Sequence, residues 1–314
     1  MSTSGPSEAA DLFIAARSGD RSALARLLSM VERGGDDARS VSTVTHALAG
    51  SATTIGITGA PGAGKSTLTS ALVRQMRSGQ ATVGVLAIDP SSPFTGGAIL
   101  GDRVRMDEHA LDADVFIRSM ATRGHLGGLA VAVPDAARVL DAVGLEWIVI
   151  ETVGVGQVEV EIADEADTTV VVVNPGWGDT VQANKAGLME IADIFVVNKA
   201  DRAGVDDTVA DLERMLALRS PSWRPPVIRT IATDGTGVGE LWSAIGEHVS
   251  WSRASGEFER RRAARLDLEL RRVVNALMAA RTEDLAAGST WEWARNEVAA
   301  RRVDPWTAAE SLLD

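Results

Sequence analysis

The stretch Gly59-Ala60-Pro61-Gly62-Ala63-Gly64-Lys65-Ser66 constrains this chain more than any other. It fits the pattern G-x-x-x-x-G-K-[S/T]. It follows a β-branched run, Thr53–Thr58, and opens a helical pattern, Thr67–Met76. A strand must therefore feed a glycine-rich loop that runs straight into a helix. The glycines let backbone N–H groups close around phosphate oxygens, and the helix N-terminus adds a favourable dipole. Gly59 through Thr67 are the expected phosphate contacts. Lys65 should reach the β- and γ-phosphates, and the Ser66 hydroxyl should ligate Mg²⁺.

The surrounding texture agrees. From about Ser51, short apolar runs alternate with longer helical patterns. The runs after the first are Thr82–Ile88, Val115–Ser119, Trp147–Ile150, Thr169–Val173, Ile194–Val197 and Val227–Thr230. Nearly continuous apolar strands are buried on both faces. Strands alternating with helices predict an α/β fold, a mostly parallel P-loop NTPase sheet flanked by helices. Ligands of such sheets bind at the carboxyl ends of the strands.

Two flanks differ in texture. Ser7 to Arg33 reads as a helix, Gly34 and Gly35 break it, and Val41–Leu48 reads as a second short helix. Phe258 to Arg281 holds no Gly or Pro, and Leu266, Leu270, Val273 and Leu277 form an apolar seam. That seam suits either a partner helix or the chain's own nucleotide domain. Thr290 to Leu313 is largely helical in pattern. The expected organisation is a helical N-terminal extension over 1–50, a P-loop nucleotide-binding domain over 51–252 and a helical C-terminal arm over 253–314.

A second motif names the base. Asn198-Lys199-Ala200-Asp201 follows an apolar run and reads as N-K-x-D. The Asp201 carboxylate can accept from guanine N1–H and N2–H₂. Adenine would leave it unpaired, which is costly. Asn198 can brace the loop and Lys199 can lie along the base. Ile231-Ala232-Thr233 is a third candidate contact, with the Ala232 N–H meeting guanine O6. Three carboxylates stand where a γ-phosphate and its metal would be: Asp89, Asp102 and Glu151. Glu151 begins Glu151-Thr152-Val153-Gly154, and Gly154 would offer its N–H to the γ-phosphate. Glu151 could also orient the attacking water, while Asp89 and Asp102 could share the metal shell or polarise water.

Composition removes several function classes. The chain has no Cys, so disulfides, thiolate metal sites and cysteine nucleophiles are excluded. The net charge of −12 argues against nucleic acid and membrane surfaces as partners. No basic segment followed by an apolar run marks the start as a signal peptide, and no run is long enough to span a bilayer. The expectation is a cytoplasmic protein. The scattered His46, His109, His125 and His248 read as surface or capping residues. Trp223, Trp242 and Trp251 read as packing residues.

The stretches DPSSPFTGGAILGDRVRM (89–106), RGHLGG (123–128), ETVGVGQVEVE (151–161) and NKAGLMEIADIFVVNKAD (184–201) resemble the MeaB/ArgK family. These GTPases are associated with methylmalonyl-CoA mutase and belong to the SIMIBI class of P-loop proteins. The resemblance covers about 53–241. It implies a GTP-hydrolysing chaperone of an adenosylcobalamin-dependent mutase that gates cofactor delivery and protects the mutase from inactivation. Methylmalonyl-CoA mutase is the first candidate. It also implies GTP/GDP and Mg²⁺ as ligands, a homodimer joined through the C-terminal helices, and metal or hydrolysis roles for Asp89, Asp102 and Glu151. Lys185 matches a lysine of a third switch loop, spanning about 174–185. That loop departs from the family pattern at Pro175, Trp177 and Asn184. A metallochaperone and a small-molecule kinase are the alternatives. The missing Cys speaks against the first, and the N-K-x-D motif against the second.

Overall fold

The computed structural model describes residues 6–90, 108–122, 132–152, 158–177, 182–218 and 222–313. Asp102, Gly154 and the segment 123–128 lie outside them. Asp89 and Lys185 are described in their backbone alone.

Three helices come first: α1 (Pro6–Arg17), α2 (Arg21–Arg33) and α3 (Gly35–Thr45). The single helix expected over 7–33 is two. The break falls at Gly19-Asp20, where Gly19 adopts a φ of +98°. The Asp20 carboxylate then accepts from the backbone N–H groups of Ser22 and Ala23 at 2.8 and 3.1 Å. An acid placed there caps a new helix and stops the old one. The second short helix starts earlier than its apolar pattern suggested, at Gly35, and closes in a 3₁₀ turn at His46–Leu48.

The alternating region follows as β1 (Thr53–Gly59), α4 (Lys65–Ser78), β2 (Val83–Pro90), β3 (Val115–Thr122), α5 (Ala132–Ala142), β4 (Trp147–Thr152), α6 (Val158–Glu165), β5 (Thr168–Val173), α7 (Gln182–Ile191), β6 (Ile194–Asn198), α8 (Val205–Ala217), β7 (Val227–Thr230) and α9 (Val238–Ser255). The seven strands form one parallel sheet in the order β3-β2-β4-β1-β5-β6-β7. All seven expected strands are present. The P-loop strand β1 is central, between β4, which carries Glu151, and β5. β6, which ends in Asn198, is the next strand out. The order thus brings the phosphate loop, Glu151 and the guanine motif to one carboxyl edge.

Every residue of β1, β5 and β6 is buried. One face packs on α4 and α9 through Ile55, Leu68, Leu72, Val170 and Ile245. On the other side lie two clusters. One joins α1–α3 to α5 and β4 through Leu24, Leu27, Leu28, Val139 and Ile150. The second joins β5 and β6 to α7 and α8. The N-terminal helices are therefore part of the core.

A compact unit runs to Arg262, and a second comprises Ala263–Asp314. The second unit holds most of α10 (Glu257–Ala286), then α11 (Ser289–Ala299) and α12 (Pro305–Leu313). Arg301, at φ +57°, lies in the break between the last two helices, and Asp304 caps α12 by accepting from the Trp306 and Thr307 N–H groups at 2.9 and 3.1 Å. Leu266, Leu270, Val273, Val274, Leu277 and Met278 are exposed along α10.

Two histidines do not sit where sequence reading put them. His248 is fully buried, with Nδ1 2.8 Å from the Thr168 hydroxyl and Nε2 3.2 Å from an Asp193 oxygen. Its ring packs against both Trp223 and Trp251, which also touch each other, the three centroids lying 5.0, 5.6 and 5.2 Å apart. His109 is also buried, with Nε2 3.0 Å from the Ser70 carbonyl on α4. Neither position has a periodic signature, because the partners come from distant strands and helices.

Candidate functional site

The phosphate loop needs its glycines for contact reasons. A Cβ on Gly59 would lie 1.9 Å from the Val172 carbonyl of β5, and one on Gly64 would lie 2.5 Å from Asn198 Nδ2. Both residues also adopt left-handed φ values, +129° and +91°. Close approach of β5 and the guanine motif thus fixes these identities.

Lys65 and Ser66 open α4 and are both buried. Lys65 Nζ donates to the carbonyls of Gly59 and Ala60 at 2.8 and 3.0 Å, folding over the loop. The Ser66 hydroxyl donates to Glu151 Oε1 at 2.5 Å. Glu151 sits inside β4, paired in register with Ile57 of β1 and Ala87 of β2. It is 3% exposed. A buried carboxylate hydrogen-bonded to the P-loop hydroxyl gives two hard oxygen donors at one point, which suits Mg²⁺. One residue further toward the carboxyl edge, the Thr152 hydroxyl donates to that of Thr58 at 3.0 Å, tying β4 to β1.

The guanine motif is braced from both sides. Asn198 Nδ2 donates to the Ala63 carbonyl of the phosphate loop at 2.8 Å. Its Oδ1 accepts from the Thr230 hydroxyl and from the Ala232 N–H, each at 3.1 Å. Lys199, at φ +60°, reaches Gly62 O at 2.6 Å. Ala200 N donates to Thr230 O at 3.0 Å, and the Asp201 carboxylate is exposed. The Ala232 N–H proposed for guanine O6 is thus already engaged by Asn198. Ile231 forms a bridge to Thr236, and Thr233 is exposed at the rim.

The structure brings together the 59–67 loop, Glu151, the 198–201 motif and the 231–233 turn. Asp89 ends β2 at the same edge, and Lys185 lies in α7. Asp102 and Gly154 fall outside the described residues. Sequence reasoning missed the ties among these parts, above all Asn198 to Ala63, because such bonds span 135 residues. The buried Asp193, adjoining β6 at its far end, was also missed. Burial pushes its carboxyl up, yet the His248 ring beside it and the hydrogen bonds from Arg261 outweigh this and hold it below the ordinary value.

A family model described as "Methylmalonyl Co-A mutase-associated GTPase MeaB" matches residues 24–286. A putative GTPase of Pyrococcus abyssi is 49% identical over 302 residues, covering 95% of this chain and 93% of the relative. The mitochondrial methylmalonic aciduria type A homolog of Mus musculus is 37% identical over 214 residues, covering 66% of this chain and 52% of that protein. The crystal structure of an LAO/AO transport system kinase matches with a TM-score of 0.72 at 25% identity, covering 99% of this chain and 98% of that one. A guanine-type base motif and a P-loop are joined here on a parallel sheet of that fold, and the chain belongs to the MeaB family of methylmalonyl-CoA mutase-associated P-loop GTPases.

Proposed function

We propose that this GTPase is a nucleotide-gated chaperone of an adenosylcobalamin-dependent acyl-CoA mutase, with methylmalonyl-CoA mutase as the first client to test. The family description over residues 24–286 carries this reading. The name of the mouse relative points the same way.

In this reading Lys65 exchanges its two loop carbonyls for the β- and γ-phosphates. The 59–67 loop wraps the phosphates, with Gly154 adding an N–H. Ser66, Asp89, Asp102 and Glu151 would hold Mg²⁺, which would supply charge neutralisation on the phosphates. Glu151 or Asp102 orients the attacking water, and Lys185 meets developing charge. Asn198, Lys199, Asp201 and the 231–233 turn hold the guanine. The Asn198–Ala63 bond joins base recognition to the phosphate loop, as a switch requires.

The active form in this proposal is a homodimer. Six exposed apolar residues on one stretch of α10, Leu266 to Met278, support the C-terminal helices as its arm. The protein would work in the cytoplasm, consistent with the lack, among the described residues, of any helix long and apolar enough to cross a membrane.

The test is GTP hydrolysis by the chain alone and with methylmalonyl-CoA mutase of the same organism, with ATP as control. The expected result is slow GTP-specific turnover that rises with the mutase. Turnover indifferent to that mutase and to other acyl-CoA mutases would sink the chaperone reading.

A further inference from the structure

Because β5 lies between β1 and β6, the turn after β5 stands beside the guanine motif at the carboxyl edge. That turn is Asn174-Pro175-Gly176-Trp177. Gly176 has a φ of +85°, and the Trp177 N–H closes the turn onto the Asn174 carbonyl at 3.2 Å. Proline before a left-handed glycine, with this bond, is the pattern of a type II turn. The Trp177 side chain is 5% exposed and lies in the cluster with Val173, Val197, Val209 and Leu212. The turn is therefore a fixed body anchored by its own side chain.

It makes one bond across to the guanine side. The Gly176 N–H donates to the Thr208 hydroxyl of α8 at 3.1 Å. Thr208 is 3% exposed. Its hydroxyl in turn donates to the Gly204 carbonyl at 3.0 Å. A hydroxyl has one proton and two lone pairs, so both bonds form at once. Gly204 is the N-cap of α8, at φ +86°, and follows Asp201 by three residues. Its Cα side faces Pro175, whose Cβ lies 4.0 Å from where a Gly204 Cβ would be.

The guanine loop thus has two fixed ends. Asn198 holds its start to the phosphate loop, and Gly204 holds its end to the β5 turn through Thr208. Between them the Arg202 N–H bonds to Lys199 O at 3.0 Å, leaving a tight arch that carries Asp201. A bond from Thr208 to its own helix would need no partner 32 residues upstream. The Gly204 carbonyl also accepts from the Thr208 N–H at 3.1 Å, and the hydroxyl adds the tie that joins this end of the arch to the β5 turn.

We infer that Thr208 is a positioning residue for guanine recognition: its hydroxyl pins the end of the Asp201 arch to the turn after β5, and so aligns the Asp201 carboxylate with the two donors on the guanine edge. This rests on the reading of Asp201 as the base selector. Loss of the hydroxyl lets the arch relax, and two parallel hydrogen bonds tolerate such a shift poorly.

The experiment compares binding of GDP and IDP by titration calorimetry. Inosine keeps N1–H and O6 but lacks the 2-amino group, so the GDP/IDP affinity ratio reads the alignment of Asp201. The wild-type ratio should be about tenfold or more, for one charge-assisted hydrogen bond. Thr208→Val keeps the side-chain shape and removes both bonds. It should lower the ratio about three- to tenfold, the range of one buried hydrogen bond, with little change in Tm. Thr208→Ser should restore it. Asp201→Ala is the control and should collapse the ratio toward one. A wild-type ratio in Thr208→Val beside a collapsed ratio in Asp201→Ala overturns the role of Thr208 alone. An unchanged ratio in both variants overturns the guanine reading itself. Equal loss of GDP and IDP with a lowered Tm would make Thr208 a stability residue and overturn the inference as well.

Discussion

Replacing Asp193 by Asn should destabilise the chain by about 3 kcal/mol, the low end for breaking a buried ion pair. The carboxylate is 6% exposed and lies just before β6. Its Oδ2 accepts from the Thr169 N–H and from Arg261 Nη1, both at 2.8 Å, and Oδ1 accepts from Arg261 Nη2 at 2.9 Å. His248 Nε2 stands 3.2 Å from Oδ1. An amide keeps one acceptor and turns N–H groups toward these donors. Removing one partner of a buried pair costs roughly 3–5 kcal/mol, and the Arg261 side chain, 29% exposed, recovers some water, which places the effect low in that range. For a folded unit of this size the Tm should fall about 6–12 °C, read by circular dichroism. The sign of the pH dependence follows from the direction of the shift. Asp193 is held below its ordinary 3.8, so the stabilisation is fully present above that value. It fades as pH falls through the lower folded-state value, because the unfolded chain then binds the extra proton. The stability curves of wild type and Asp193→Asn should converge in that acidic window. The double change Asp193→Leu with Arg261→Met should recover only part of the loss, because the buried Thr169 N–H still lacks its acceptor. A Tm shift below about 2 °C for Asp193→Asn would refute the reasoning, since it would mean the pair does not stabilise the fold.

Three further outcomes follow from the site. Asp201→Asn should lose GTP and gain xanthosine triphosphate, because xanthine carries a carbonyl at C2 and an amide can accept from N1–H while donating to that oxygen; nucleotide-dependent thermal shifts check it. Glu151→Gln should lower GTP turnover about a hundredfold or more, with a smaller change in GDP affinity, if the carboxylate orients water; single-turnover hydrolysis separates the two. Gly64→Ala places a Cβ 2.5 Å from Asn198 Nδ2 at a left-handed φ, so it should cost about 1–3 kcal/mol of stability and weaken both GDP and GTP, measured by calorimetry.

Much of the site was legible in one dimension. The P-loop and N-K-x-D motifs each consist of adjacent residues whose backbone roles demand particular types. The glycines of the first could be recognised before any contact was known. The sheet was legible because its strands are buried on both faces and read as unbroken apolar runs. The boundaries of the flanking helices were less so. Gly19-Asp20 splits α1 from α2 through a cap that interrupts no apolar period, so the periodicity ran across it.

The sequence by itself determined the P-loop and N-K-x-D patterns, the parallel α/β class and the family. Each of these is carried by local residue chemistry or by a regular period. Only the tertiary structure decided that Gly64 must be bare because Asn198 lies against it, that Ser66 meets Glu151, and that Asp193 and His248 are buried partners. It alone joined Thr208 to the turn after β5. These contacts connect residues 32 to 134 positions apart. Their partners are selected by strand order and helix packing, which no local pattern encodes.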